Sequence, residues 1–223
     1  MKIASFRFAS ANRDPRRFDW LIESLSKDPL EEGSTSLSKM KNLLYLSPFL
    51  SEFSWKGLSL SRNILKKLTE KEVLKNQYKQ VRVAVSEVIS TSLSSCERNG
   101  EIDEISLKFV KNMLEMCLEE NLDNTVLFTA INFIHFTAKE RNRSKILIPL
   151  FSLATQIVLT AHLNEDKDVQ QLAKVTTALL AQISVDKKTF FEQVFPKLKD
   201  ISKSSFWHLR SASLPFLQII VYG

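Results

Sequence analysis

Apolar residues recur three and four positions apart along almost the whole chain, the period of a helix face turned toward a core. This pattern predicts about ten helices. They run over Arg16 to Ser26, Leu37 to Phe49 with an end around Pro48, Trp55 to Leu68, Leu74 to Leu93, Ile105 to Leu118, Asp123 to Ala138, Ser144 to His162, Asp166 to Ile183, Lys187 to Ile201, and Ser205 to the end. In the fourth, Tyr78, Val81, Val85 and Ile89 fall on one face, and in the last Phe206, Leu209, Phe216, Leu217, Ile220 and Val221 form a stripe. Ser94 to Glu101 reads as a turn in which Gly100 supplies a left-handed residue. Asp123, Asp166 and Ser205 are expected N-caps, since a short side-chain oxygen there accepts from the orphan amides of the first turn. Pro215, inside the last helix, removes a backbone hydrogen bond and predicts a kink or break.

The helices carry a longer period. Val81-Arg82, Val126-Leu127, Val169-Gln170 and Leu209-Arg210 stand near the starts of alternate helices, at intervals of 45, 43 and 40 residues. A small residue follows each time: Ala84, Ala130, Ala173, Ala212. Such periods belong to helix-pair solenoids of the HEAT and armadillo kind, because one helix pair cannot bury its own apolar face and must stack on the next. The expected fold is an all-α solenoid of HEAT-like helix pairs, one segment over 1–223, with residues 1–15 poorly ordered and repeats near 16–68, 74–118, 123–162 and 166–223. The chain closes on Ile219-Ile220-Val221-Tyr222, an apolar face of the kind that meets a next repeat.

Composition narrows the function classes. Only 4 Gly and 6 Pro occur in 223 residues, which disfavours a many-turned β-fold. The net charge of +6 suits an acidic partner, but both signs are interspersed and no like-charge block calls for direct nucleic-acid binding. Cys96 and Cys117 are too few for a disulfide framework or zinc site and point to a reducing compartment, nuclear or cytoplasmic. No signal-peptide core opens the chain, and Ile146 to Leu159, interrupted by Pro149, Ser152, Thr155 and Gln156, falls short of a membrane span. His135, His162 and His208 lie on separate helices without metal-ligand spacing, and no phosphate-cradling glycine loop or nucleophile elbow is present. The residues do not point to an enzyme, a metal or a cofactor.

Two basic groups are the candidates for anion contact. Lys75, Lys79 and Arg82, at spacings of four and three, are expected on one helix face after Lys66, Lys67 and Lys71; Arg141 and Arg143, with Lys139 and Lys145, occupy a turn between helices. The other expectation for them is a solvated face, as Glu70 and Glu72 intervene. Trp20, Trp55 and Trp207 are expected to pack in the core or staple helices together.

Four stretches resemble the large HEAT-repeat proteasome activators of the subunit 4 family. They are Phe18-Asp-Trp-Leu-Ile-Glu with Asp28-Pro-Leu-Glu-Glu-Gly, Tyr78-Lys-Gln-Val-Arg-Val-Ala-Val, Phe109-Val-Lys-Asn-Met-Leu-Glu, and Ser204-Ser-Phe-Trp-His-Leu-Arg with Leu217-Gln218. The resemblance covers residues 16–223 and implies a non-enzymatic dome segment that caps the 20S proteasome and promotes ubiquitin-independent degradation, acetylated histones included. It implies nuclear and cytoplasmic residence, a link to DNA repair, and inositol phosphate as a ligand of basic openings. The family's acetyl-lysine-reading segment and tyrosine-bearing docking tail have no counterpart within these residues. Trp207 and Arg210 match the family motif and are expected to be structural. The residues also admit an unrelated HEAT-repeat adaptor of the transport-receptor or phosphatase-scaffold type.

Overall fold

The computed structural model describes residues 35–52, 58–119, 123–140, 143–183 and 187–222. The expected helix at Arg16 to Ser26, Trp20, Trp55 and Arg141 lie outside the described residues. The described chain is all-α apart from one short ribbon, and it divides at Val110 and Lys111 into two compact units.

In the first unit, α1 (Ser36–Glu52) and α2 (Leu58–Leu68) both pack on α3 (Lys79–Ser94). That central position explains why α3 buries polar as well as apolar residues: Val81, Ala84, Val85, Val88, Ile89 and Leu93 are joined by Ser86, Ser90, Thr91 and Ser92. Most of these hydroxyls escape the cost of dry burial by bonding backwards or sideways, whereas Ser92 Oγ is buried without a partner. Ser86 Oγ donates to the Arg82 carbonyl at 2.9 Å, Thr91 Oγ1 meets Ser47 Oγ at 2.9 Å, and Ser95 Oγ donates to the Leu50 carbonyl at 2.9 Å. The last two contacts hold α1 on either side of Pro48. The helix therefore runs through that proline to Glu52 and does not end there as expected.

The expected helix Leu74 to Leu93 is broken. A single turn, Lys71–Leu74, ends at Lys75, and α3 begins only at Lys79 with Tyr78 as its extended, exposed N-cap. After α3, β1 (Glu97–Arg98) and β2 (Glu101–Ile102) pair antiparallel across Asn99 and Gly100, whose φ values of 55° and 84° suit a primed hairpin turn. Gly100 is left-handed as expected, but it closes a hairpin that the helical reading did not contain.

α4 (Glu104–Met116) starts on Asp103, whose carboxylate accepts from the Ser106 amide at 2.9 Å and hydroxyl at 2.7 Å. The same carboxylate takes both arms of Arg62 from α2, Nε at 2.9 Å and Nη2. The Arg62 bonds hold the Asp103 carboxyl well below the usual carboxylate range. The Asp103 amide donates to the Cys96 carbonyl and closes the base of the ribbon. One residue, through its carboxylate and its amide, thus joins α2, the ribbon and α4.

The second unit is built on α5 (Asn124–Lys139), α6 (Phe151–Thr160), α7 (Lys167–Ala181), α8 (Phe195–Ser202), α9 (Trp207–Ala212) and α10 (Leu214–Tyr222). α7 packs on α5, α6 and α10, and Val169, Ala173 and Leu180 are buried there. Phe151 and Phe216 meet edge to face at 6.5 Å between ring centroids. Asp123 and Asp166 cap α5 and α7, as expected, by accepting from Thr125 and from Asp168 with Val169.

Three expected continuous helices are interrupted, each near a proline. Ser144–Leu150, containing Pro149, winds as a 3₁₀ turn before α6, and Ala161–Leu163 tightens again after it. Phe190–Val194 winds as a π turn just before Pro196 in α8, where the carbonyl of Glu192 has no proline amide to accept from. The last helix splits at Ser213, two residues before Pro215, in line with the expected break. Ser205 is not its cap, because the extended Phe206 takes that position without a side-chain bond. Phe206 also leaves the expected stripe for solvent, while Leu209 and Phe216 are buried.

By length and composition Ser144–Leu163, 20 residues, is apolar enough to cross a membrane, although its inner stretch Ile146 to Leu159 is expected to fall short of a span. Ile146, Leu147, Phe151, Ala154, Ile157 and Val158 are buried in the second unit, and core packing accounts for its apolarity.

Asp103→Ala removes a cap and the acceptor of Arg62. It is expected to cost about 1 kcal/mol or more from the cap alone, read as a lower urea midpoint. The stabilisation by this depressed carboxyl is present above the ordinary aspartate value and lost as pH falls below it, so the variant's deficit should shrink in acid. Ala173→Leu, which overfills the buried face of α7, is expected to cost about 1–3 kcal/mol in the same measurement.

Candidate binding surfaces and the starts of the helices

A helix start leaves amides without partners in the helix itself. Three helices solve this in one way. Before α3, Asn76 Oδ1 accepts from the Tyr78 amide at 3.0 Å, and the Asn76 carbonyl accepts from Arg82 Nη1 at 2.6 Å. Before α7, Asn164 Oδ1 accepts from the Asp166 amide at 2.8 Å, and the Asn164 carbonyl accepts from Gln170 Nε2 at 2.6 Å. Before α9, Ser204 Oγ accepts from the Phe206 amide at 3.2 Å, and the Ser204 carbonyl accepts from Arg210 Nη1 at 2.6 Å. In each, a short polar side chain turns the chain into the N-cap two residues on, and a long donor six residues on clamps back to its carbonyl.

These clamps fall on the period read from the sequence. Val81, Val126, Val169 and Leu209 are buried one residue before the clamp position, and Ala84, Ala130, Ala173 and Ala212 are buried after it. The second repeat is the variation. Leu127 stands at its clamp position, Asn121 lies outside the described residues, and Asp123 instead accepts from both the amide and hydroxyl of Thr125. Its neighbour Asn124 accepts from Asn164 Nδ2 at 2.8 Å, which ties the start of α5 to that of α7.

The basic candidates are redistributed by this geometry. Lys75, Lys79 and Arg82 do not share a helix face, because Lys75 caps the preceding turn, Lys79 opens α3, and Arg82 folds back on Asn76. Exposed Lys66, Lys71 and Lys79 do gather around the connection from α2 to α3, together with exposed Glu70 and Glu72. Arg143, half-buried, precedes the 3₁₀ turn, with Lys145 exposed beside it. Arg210 is structural, as expected, donating also to the Ser205 carbonyl at 3.0 Å. Trp207 is not in the core: it is 61% exposed and stacks on His208, ring centroids 3.7 Å apart.

Two histidines and the two cysteines are held by packing. Thr177 Oγ1 donates to the Ala173 carbonyl, so it accepts from His162 Nε2 at 2.9 Å, which assigns the tautomer. Burial, with Lys174 and His208 nearby, pushes His162 down to about 4. Thr176 likewise donates to Leu172 and meets His135 Nδ1 at 3.3 Å, so consecutive threonines of α7 engage histidines from α5 and from the 3₁₀ turn after α6. Burial pushes the Cys96 thiol up, and burial with Glu119 pushes Cys117 up to about 12, so neither is a ready nucleophile. Among the described residues no group of three or more His, Cys, Asp or Glu could hold a metal ion.

Against curated proteins, the chain is 26% identical over 243 residues to proteasome activator complex subunit 4A of Danio rerio and 24% identical over 241 residues to proteasome activator complex subunit 4 of Homo sapiens. These alignments cover 96% and 95% of this chain. The chain resembles proteasome activator complex subunit 4 along nearly its whole length. It spans about 13% of the length of these relatives. No family model matches it. Among solved structures, a designed armadillo repeat protein in complex with a peptide covers 97% of the chain at 12% identity, with a TM-score of 0.46.

The clamp leads to a direct test. Gln170→Ala is expected to lower stability by about 1 kcal/mol through loss of the donor to Asn164, whereas Gln170→Arg should retain it, since arginine makes this bond at positions 82 and 210. The histidine at 162 gives a pH signature. A folded-state value below the ordinary one means that the unfolded chain takes up a proton the folded chain refuses. Thermal melts should show stability falling as pH drops from the ordinary histidine value to about 4, with no further loss from this residue below that. His162→Gln should reduce the fall.

Proposed function

We propose that this chain is a HEAT-repeat scaffold segment that supplies helix pairs to a proteasome-capping activator and carries no catalytic group of its own. The collinear match to proteasome activator complex subunit 4 across 95–96% of the chain supports this reading. The phasing of the helix-start clamps to the sequence period supports the scaffold part independently, since a repeat that keeps its capping chemistry keeps the angle at which successive pairs stack.

On this reading the partner is the 20S proteasome, and the process served is ubiquitin-independent degradation, with acetylated histones among the substrates and the nucleus and cytoplasm as its compartments. An inositol phosphate would sit against lysines of the α2–α3 connection or the Arg143 turn, where flexible cations can converge on a polyanion.

Affinity capture of the tagged chain from its own cells, followed by mass spectrometry, tests this. Proteasome α subunits should be enriched over an unrelated helical-repeat control. Enrichment of a phosphatase catalytic subunit or transport cargo without proteasome would overturn the reading in favour of a separate adaptor.

A further inference from the structure

The ribbon between α3 and α4 carries chemistry in its turn. Asn99-Gly100 is the single Asn-Gly pair in the chain. Both residues are exposed, both have positive φ, and a Cβ placed on Gly100 would meet nothing within 4 Å. The Gly100 backbone is thus uncrowded, and no side chain of its own shields its amide nitrogen.

The strands on either side are pinned. Arg98 Nη1 donates to the Ser95 and Glu97 carbonyls at 2.9 and 2.6 Å, which folds its side chain back toward the end of α3. The Asp103 amide donates to the Cys96 carbonyl at 3.1 Å, and Arg62 holds the Asp103 carboxylate. The primed turn that joins the strands keeps the Gly100 nitrogen turned away from Asn99 Cβ.

We propose that Asn99 is a site of covalent modification, where the side-chain amide is lost through a succinimide at a rate set by opening of the ribbon. The Gly100 amide gives its proton to base, and its nitrogen attacks Asn99 Cγ. The bond from Cγ to the side-chain nitrogen breaks, and ammonia leaves. Water then opens the five-membered ring. Cleavage of the new nitrogen–Cγ bond gives aspartate with the normal backbone. Cleavage of the bond to the main-chain carbonyl gives isoaspartate, whose backbone runs through Cγ. No electrons are transferred. The Asn99 backbone must rotate out of the turn before the ring can close, so local opening gates the reaction. The isoaspartyl product has one backbone carbon too many for a two-residue turn between the paired Arg98 and Glu101, so its effect falls on the ribbon.

Peptide mapping by mass spectrometry, on the folded full chain incubated at neutral and at mildly alkaline pH, tests the proposal. The peptide holding Asn99 should gain about 1 Da, appear as two chromatographically distinct products of equal mass, and convert faster at the higher pH. Asn124, exposed but followed by Thr125, is the internal control and should stay unchanged. Conversion should be slower in the folded chain than in urea. Arg62→Ala should raise the folded-state rate several-fold by releasing Asp103, as expected for loss of a partly exposed charge-assisted pair. Asp103→Asn weakens the same pair while keeping a capping side chain, and it serves if the arginine variant does not fold. Circular dichroism melts check both variants. No mass gain at Asn99 in the folded chain, an equal gain at Asn124, or a rate indifferent to urea and to the substitutions would overturn the proposal.

Discussion

A helix start leaves its first amides, and the carbonyl that precedes them, without partners in the helix. The turn-and-clamp before α3, α7 and α9 satisfies the N-cap amide and that carbonyl with two side chains, one two residues before the N-cap and one in the helix's second turn. The bond from second turn to preceding carbonyl sets the direction from which the chain enters the helix. The buried valine or leucine stands one residue before the clamp donor, and the buried alanine two or three residues after it. Arginine and glutamine serve equally because only a long donor is needed. Leucine at 127 is tolerated because Asp123 and the Asn124–Asn164 bond anchor that start by another route.

Central helices follow from the same arrangement. α3 and α7 are each contacted by more than one neighbour within their units; α3 has no exposed residue after Gln80, while α7 keeps an exposed stripe at Lys167, Gln171, Lys174 and Ala178. Their sequences resolve this with small and hydroxyl-bearing residues. Alanine permits close approach, and serine or threonine can be buried because its hydroxyl returns to a carbonyl one turn back. Thr176 and Thr177 go further by accepting from histidines of two adjoining elements. His135, His162 and the two thiols are accounted for as packing groups. A scaffold reading needs no more from them, and it agrees with the similarity to proteasome activator complex subunit 4.

Much of the helical framework was legible because burial imposes a period on the sequence. The caps at Asp123 and Asp166, the four alanine positions and the break near Pro215 could each be read from local chemistry. The misreadings share a cause, which is that periodicity does not register a change of winding. Val73, Leu74 and Val81 continue the apolar spacing across the break at 75–78, so the period alone puts the lysines on either side on one face. Asn99-Gly100 is a hairpin signal in its own right, yet strands of two residues leave no alternation to find.

The sequence by itself determined the all-α class, the spacing of the repeats and the residues that form their buried columns, because a 3.6-residue face and a stacked pair each constrain residue type at fixed intervals. Only the tertiary structure decided that Arg62 joins Asp103, that His162 and His135 bond to consecutive threonines, that α1 passes through Pro48, and that Trp207 faces outward. Those outcomes depend on which groups meet across 15 to 45 residues of chain. At that range the deciding quantity is the partner's position in space, which no local pattern encodes.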